Sequence, residues 1–157
     1  WYAAVNGLFG AFKRFKADYR VIPAVTFTHP EVARVGLSQQ EARQQGISFE
    51  VSRFELEELD RAITADEHEG FVEVLTVPGK DKILGVTIVA SHAGEMLAEF
   101  TLAMKHGLGL KKILGTIHPY PTWSEAAKYV AGVWQKAHAP EMALRWSERY
   151  HRWQRGG

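Results

Sequence analysis

The spacing of apolar residues changes character along this chain, and each change marks an element. Trp1, Val5, Leu8, Phe9, Phe12 and Phe15 recur at roughly helical spacing, with Lys13, Arg14 and Lys16 between them. That pattern predicts an amphipathic helix over residues 1–20 that docks on another surface, with a membrane-surface helix as the weaker reading. Pro23 ends it, and Ala24 to Thr28 alternates as a strand does. His29-Pro30 reads as a turn, followed by a short apolar segment from Val32 to Val35 that stops at Gly36. Ser38-Gln39-Gln40-Glu41 has the form of a capping box opening a short helix, and Gly46 stands where that helix should end. Ile47 to Phe54 reads as a strand. The polar stretch 55–69, with Asp66, Glu67 and Glu69 close together, reads as a solvated loop. Phe71–Val77 and Lys82–Ala90 form the clearest strand pair, joined by Pro78-Gly79-Lys80-Asp81.

Beyond Ala90 the period lengthens to about 3.6. Ala93, Met96, Leu97, Phe100, Ala103, Met104 and Gly107 line one helical face, and a short segment follows from Leu110 to Leu114. A further helix is expected from Trp123 to Ala137, broken by Ala139-Pro140, with helical spacing again at Met142, Trp146, Tyr150 and Trp153. Strands and helices in this order predict an α+β fold, an antiparallel β-sheet with helices packed on one face. The chain divides into a helical lead-in (1–20), a central domain (21–137) and an aromatic, arginine-rich tail (138–157).

Composition narrows the chemistry. With 157 residues, 46% hydrophobic and 24% charged, the chain suits one ordinary globular domain. Its formal charge of +1 provides no field that would favour nucleic acid. No run of about 18 apolar residues is present to span a bilayer, and a cytoplasmic location is expected. The absence of cysteine excludes disulfides, thiolate metal sites and cysteine nucleophiles within these residues. The chain opens on Trp1 without a leader pattern, which reads as an excised fragment or a processed chain. In the tail, Arg145, Arg149, Arg152 and Arg155 accompany the aromatic residues; packing on the same protein is favoured over binding to lipid or nucleic acid.

No glycine-rich phosphate cradle occurs, since Gly107-Leu108-Gly109 is followed by Lys112 where a third glycine would stand. The histidines are scattered, and His92 with Glu95 fits a helix start better than a metal site, so no metal is expected. His118-Pro119-Tyr120-Pro121-Thr122-Trp123-Ser124-Glu125 is different. Two prolines stiffen a loop that presents His118 and Tyr120 just before a helix, with Glu125 close by. A fixed proton-transferring side chain beside a carboxylate suits acid–base chemistry. Thr122 to Glu125 is also a capping box in its own right, and on the residues alone this structural role is the favoured one.

These segments together resemble a known family. Phe27-Thr28-His29-Pro30-Glu31-Val32-Ala33-Arg34-Val35-Gly36-Leu37 is similar to the F-T-x-P-E-[IV]-A-x-V-G-[LM] stretch in the C-terminal dimerisation domain of pyridine nucleotide-disulfide oxidoreductases. That group contains dihydrolipoamide dehydrogenase, glutathione reductase and mercuric reductase. Gly70-Phe71-Val72, Ile83-Leu84-Gly85, Ala93-Gly94-Glu95 and Pro121-Thr122-Trp123-Ser124-Glu125 match later landmarks in order, over about residues 21–135.

The resemblance implies an interface domain of an FAD- and NAD(P)H-dependent oxidoreductase, with the FAD and NAD(P) domains upstream and no cofactor bound by this piece alone. It implies a homodimer in which Tyr120, Glu125 and His118 serve the partner subunit's active site, and His118 and Pro119 face its flavin. Met96, Phe100, Met104 and Tyr120 are the expected interface residues. The family's usual histidine before Pro-Thr is Tyr120 here, as in mercuric-reductase-like members, which points away from an ordinary disulfide substrate. The alternative is a stand-alone dimerisation or docking module with no catalytic part.

Overall fold

Alternation along the strands decides the architecture. The computed structural model describes residues 1–139 together with His151, Gln154 and Arg155. Met142, Trp146, Tyr150 and Trp153, on which the tail helix was expected, lie outside the described residues, as do Arg145, Arg149 and Arg152. Five strands, β1 (Ala24–Thr26), β2 (Glu31–Gly36), β3 (Glu50–Glu55), β4 (Phe71–Thr76) and β5 (Ile83–Ala90), form one sheet in the order β1-β2-β5-β4-β3. Every neighbouring pair is antiparallel.

Register places Ala33, Ile88, Val72 and Phe54 in one rung and Val35, Val86, Val74 and Ser52 in another, all of them buried. The opposite face carries the rung Arg34, Thr87, Glu73 and Arg53, with the Arg53 guanidinium 3.6 Å from the centre of the Phe71 ring. One face is therefore buried and mainly apolar, whereas the other mixes this charged rung with Val32, Val89 and Phe71 and with the buried Leu75. At one edge of the β2–β5 pairing two glycines, Gly36 and Gly85, face each other. A Cβ on Gly85 would lie 1.9 Å from the Leu37 carbonyl oxygen, and Gly36 has φ +73°, so both positions need glycine.

Among the described residues the α-helices are α1 (Tyr2–Phe9), α2 (Gln39–Gln44), α3 (Asp60–Ala65), α4 (Ala93–Lys105), α5 (Leu110–Leu114) and α6 (Glu125–Ala137). Of these, α4 packs on β2 and β5 and α6 packs on β3 and β4. The fold is the expected α+β layer with helices covering one sheet face. The Ser38–Glu41 capping box is present in both halves, with Glu41 N–H donating to Ser38 Oγ at 3.2 Å and Ser38 N–H to Glu41 Oε2 at 2.8 Å.

Three expectations are corrected. The lead-in helix stops at Phe9 and buries no residue. Gly7 and Gly10 weaken it, and the Asn6 side chain then pairs in both directions with the backbone of Phe15, at 2.8 Å each, turning the chain back on itself. The stretch 55–69 is not a solvated loop. It holds a 3-10 turn at Leu56–Glu58 and then α3, and Leu56, Leu59 and Ala62 are fully buried. Their three-residue spacing inside an acidic segment is a helical stripe too short to stand out in the sequence. Finally, Met96 and Phe100 do not lie on the exposed face of α4. Both sit in the core of their own chain, with Met104 packed against it, because α4 must use that face to cover β2 and β5.

Two outcomes follow. Leu59→Ala lowers unfolding free energy by about 3 kcal/mol in chemical denaturation, as a buried leucine truncation does and a loop change would not. The Arg34 guanidinium, followed by the Ser38 backbone N–H and hydroxyl, holds the Glu41 carboxyl at about 2, down from 4.5. A folded value below the unfolded one contributes stability that is complete above the unfolded value and lost as pH falls through the folded one. Glu41→Gln therefore lowers the melting temperature at neutral pH, and its deficit against the parent closes between 4.5 and about 2.

Candidate active site

The loop between α5 and α6 carries the residues singled out from the sequence, and the fold sends each of them to a different partner. Thr122 Oγ1 donates to the Pro119 carbonyl at 2.6 Å and lies 2.9 Å from Ser124 Oγ, which tightens the loop from within. Trp123 lies against His92 at the start of α4, with ring centroids 5.0 Å apart.

His118 turns inward. Its side chain is only 5% exposed, with Nε2 3.0 Å from Glu99 Oε2 on α4 and Nδ1 3.0 Å from the Thr116 carbonyl oxygen. Both ring nitrogens lie within hydrogen-bonding distance of an acceptor. The imidazole thus ties the loop to α4. Swinging it out toward Tyr120 would leave a carboxylate and a carbonyl without their donor.

Glu125 is also buried, at 3% exposure, as the first residue of α6. Its Oε2 accepts from the Thr122 N–H at 3.3 Å. This is one half of the expected capping box; the reciprocal half is missing, since the Glu125 N–H reaches the Thr122 carbonyl at 3.4 Å and the Thr122 hydroxyl is engaged elsewhere.

Tyr120 turns outward and is 68% exposed. Its hydroxyl donates to Asp60 Oδ2, on α3, at 2.9 Å. That hydrogen bond first, then the Asp60 charge, partial burial and the more distant Glu125 and Tyr129 raise the phenol above its ordinary range. The Tyr129 phenol is pushed up as well, chiefly by burial and then by Glu125 and Asp60, with its ring stacked on Phe54 at 5.1 Å between centroids.

The three side chains grouped from the sequence therefore form no triad. Asp60 and Glu99 are the partners that sequence reasoning missed. Nothing along the chain couples Asp60 to a residue sixty positions away, and the only available hint was the Leu56–Leu59–Ala62 spacing, which marks the ground under Asp60 as ordered. Of the two residues expected to face a flavin, Pro119 is exposed, whereas the His118 side chain is buried against Glu99. The loop also exposes Ile117, at 96%. Among the described residues no group of three or more histidine, aspartate or glutamate side chains is arranged to hold a metal ion, and no helix is long and apolar enough to cross a membrane.

Comparison with known proteins sets this geometry in context. The family model described as the pyridine nucleotide-disulphide oxidoreductase dimerisation domain matches residues 22–131. The mitochondrial dihydrolipoyl dehydrogenase of Caenorhabditis elegans is 43% identical over 109 residues, covering 69% of this chain and 22% of that protein. The dihydrolipoamide dehydrogenase of Chaetomium thermophilum is 44% identical over 114 residues, covering 73% and 23%. The chain thus spans under a quarter of the length of these relatives. Among solved structures, the HOCl-induced flavoprotein disulfide reductase RclA from Escherichia coli superposes with a TM-score of 0.75 at 22% identity, over 83% of this chain and 30% of that one. This last similarity bears on the fold alone.

The His118–Glu99 tie has a measurable consequence. His118→Ala costs on the order of 2 kcal/mol of stability, Glu99→Gln costs less, and the double variant costs less than the sum, because the two groups share one interaction. Denaturant titration of the four proteins reads this directly.

Proposed function

This chain belongs to the pyridine nucleotide-disulphide oxidoreductase family as its dimerisation domain, and on that premise we propose that it forms the two-fold interface of an FAD- and NAD(P)H-dependent oxidoreductase. In this reading the domain joins two copies of a longer chain whose FAD and NAD(P) domains lie upstream, and each copy completes the flavin site of the other. Pro119 and Tyr120 are the residues of this chain that face the flavin. FAD, when bound, supplies the two-electron chemistry between the nicotinamide and the substrate. The part played by these residues is to shape and polarise the space beside it.

The observation that carries the reading is the loop from Ile117 to Pro121. It sets an exposed aliphatic residue and an exposed phenol outward from a segment bracketed by prolines and held by His118 and Glu125. Ile117, 96% exposed, and Tyr120, 68% exposed, project from the same short loop, where one symmetric partner surface would cover both. Expected interface residues Met96, Phe100 and Met104 are replaced in this reading by Ile117, with Tyr120 kept.

Tyr120 stands where an acid–base histidine would serve a disulfide substrate. A phenol is a poorer proton acceptor near neutral pH than imidazole, which favours a substrate other than an ordinary disulfide.

In the full-length flavoprotein, Ile117→Asp shifts the molecular mass in sedimentation from dimer toward monomer, and Tyr120→Phe lowers kcat by roughly ten-fold or more. A monomeric parent protein would remove the interface role. A dimer indifferent to Tyr120→Phe would leave a docking module without a catalytic part. Turnover of glutathione disulfide or lipoamide at rates normal for such enzymes would remove the substrate reading.

A further inference from the structure

We infer that Asp60 is the positioning residue for Tyr120, and that the pair presents the phenol oxygen to an incoming molecule as a hydrogen-bond acceptor, selecting a neutral or cationic group that carries an N–H or S–H hydrogen. The inference rests on the reading that Tyr120 faces the flavin site.

A tyrosine hydroxyl has one hydrogen and two lone pairs. In this chain the hydrogen is committed to Asp60 Oδ2 at 2.9 Å, so the lone pairs are what the exposed phenol has left to offer. Asp60 can hold that direction because α3 is anchored beneath it. Asp60 is itself exposed, but Leu59 precedes it fully buried, and Leu56 and Ala62 are fully buried on either side.

Glu125, the carboxylate that the family resemblance groups with Tyr120, is engaged with the Thr122 N–H and is turned into the protein. The other titratable groups acting on the phenol are Glu125 and Tyr129 from α6, and Asp60 from α3. None of them is a cation, and two are carboxylates. An oxyanion or a bare carbonyl oxygen would meet lone pairs and negative charge there, and would be repelled. A thiol, an amide N–H or an ammonium would be accepted. His118 adds no competing donor, since its ring is tied to Glu99 and Thr116.

Two measurements test this. In the chain itself, selective 13C labelling of tyrosine Cζ follows the ionisation of Tyr120, assigned by its loss in Tyr120→Phe. Asp60→Asn, at an exposed position where folding is preserved, moves the Tyr120 midpoint down toward that of a free phenol. Glu125→Gln moves it less, and Asp60→Glu restores part of the rise. A Tyr120 midpoint that does not move in Asp60→Asn overturns the inference.

In the full-length flavoprotein, Asp60→Asn and Tyr120→Phe each lower kcat by roughly ten-fold, the double variant loses no more than the worse single one, and Asp60→Asn shifts the alkaline limb of the pH profile to lower pH. A loss in Tyr120→Phe with none in Asp60→Asn overturns this inference alone. No loss in Tyr120→Phe overturns the reading of the site, and the inference with it.

Discussion

Covering one apolar sheet face is the requirement on which the remaining geometry depends. Two buried rungs run across four strands, from Ala33 to Phe54 and from Val35 to Ser52, and neither can be left in water. Two thirteen-residue helices, α4 and α6, are long enough to cover them. Once α4 lies on β2 and β5, its apolar face, including Met96, Leu97 and Phe100, is spent inward. Once α6 lies on β3 and β4, its first residue, Glu125, is drawn into the protein with it. The loop that joins α5 to α6 then has little choice of path. It crosses between the start of α6 and the side of α4, where Glu99 receives His118 and α3 receives Tyr120.

Regular elements with a clean period were legible before any coordinates. The β4–β5 hairpin, the capping box of α2 and the apolar stripe of α4 each announce themselves within about twenty residues, because local chemistry and burial agree there. The lead-in and the acidic stretch fail for opposite reasons. In the first, an apolar period persists through residues that two glycines and the Asn6–Phe15 pairing bend out of a helix. In the second, three buried residues out of some fifteen are outvoted by their charged neighbours, although those three fix the position of the whole segment. Which face of α4 would be free for a partner was also hidden. An apolar stripe says that a face is buried and does not say against what.

The site was legible as a list and illegible as a constellation. His118, Tyr120 and Glu125 lie within eight residues of one another, and proximity along the chain suggested a shared task. Along this segment His118 turns inward and Tyr120 outward, so closeness in sequence does not bring closeness of function. The true partners come from elsewhere: Glu99 nineteen residues before His118, and Asp60 sixty residues before Tyr120. A contact across sixty residues between a phenol and one of several acidic side chains leaves no trace in spacing or composition.

The exchange of imidazole for phenol at this position gains its meaning from those partners. A histidine between two carboxylates would be held protonated by them, and would trade a proton with its surroundings near neutral pH. A tyrosine in the same field is held neutral by the same charges, because a carboxylate beside it disfavours the phenolate. The two carboxylates that would make a histidine a better base therefore make tyrosine a more permanent hydrogen-bonding group, held neutral at neutral pH. Specificity at such a site comes from the direction of the hydroxyl. That direction is set by Asp60, and Asp60 is set by the buried leucines beneath it.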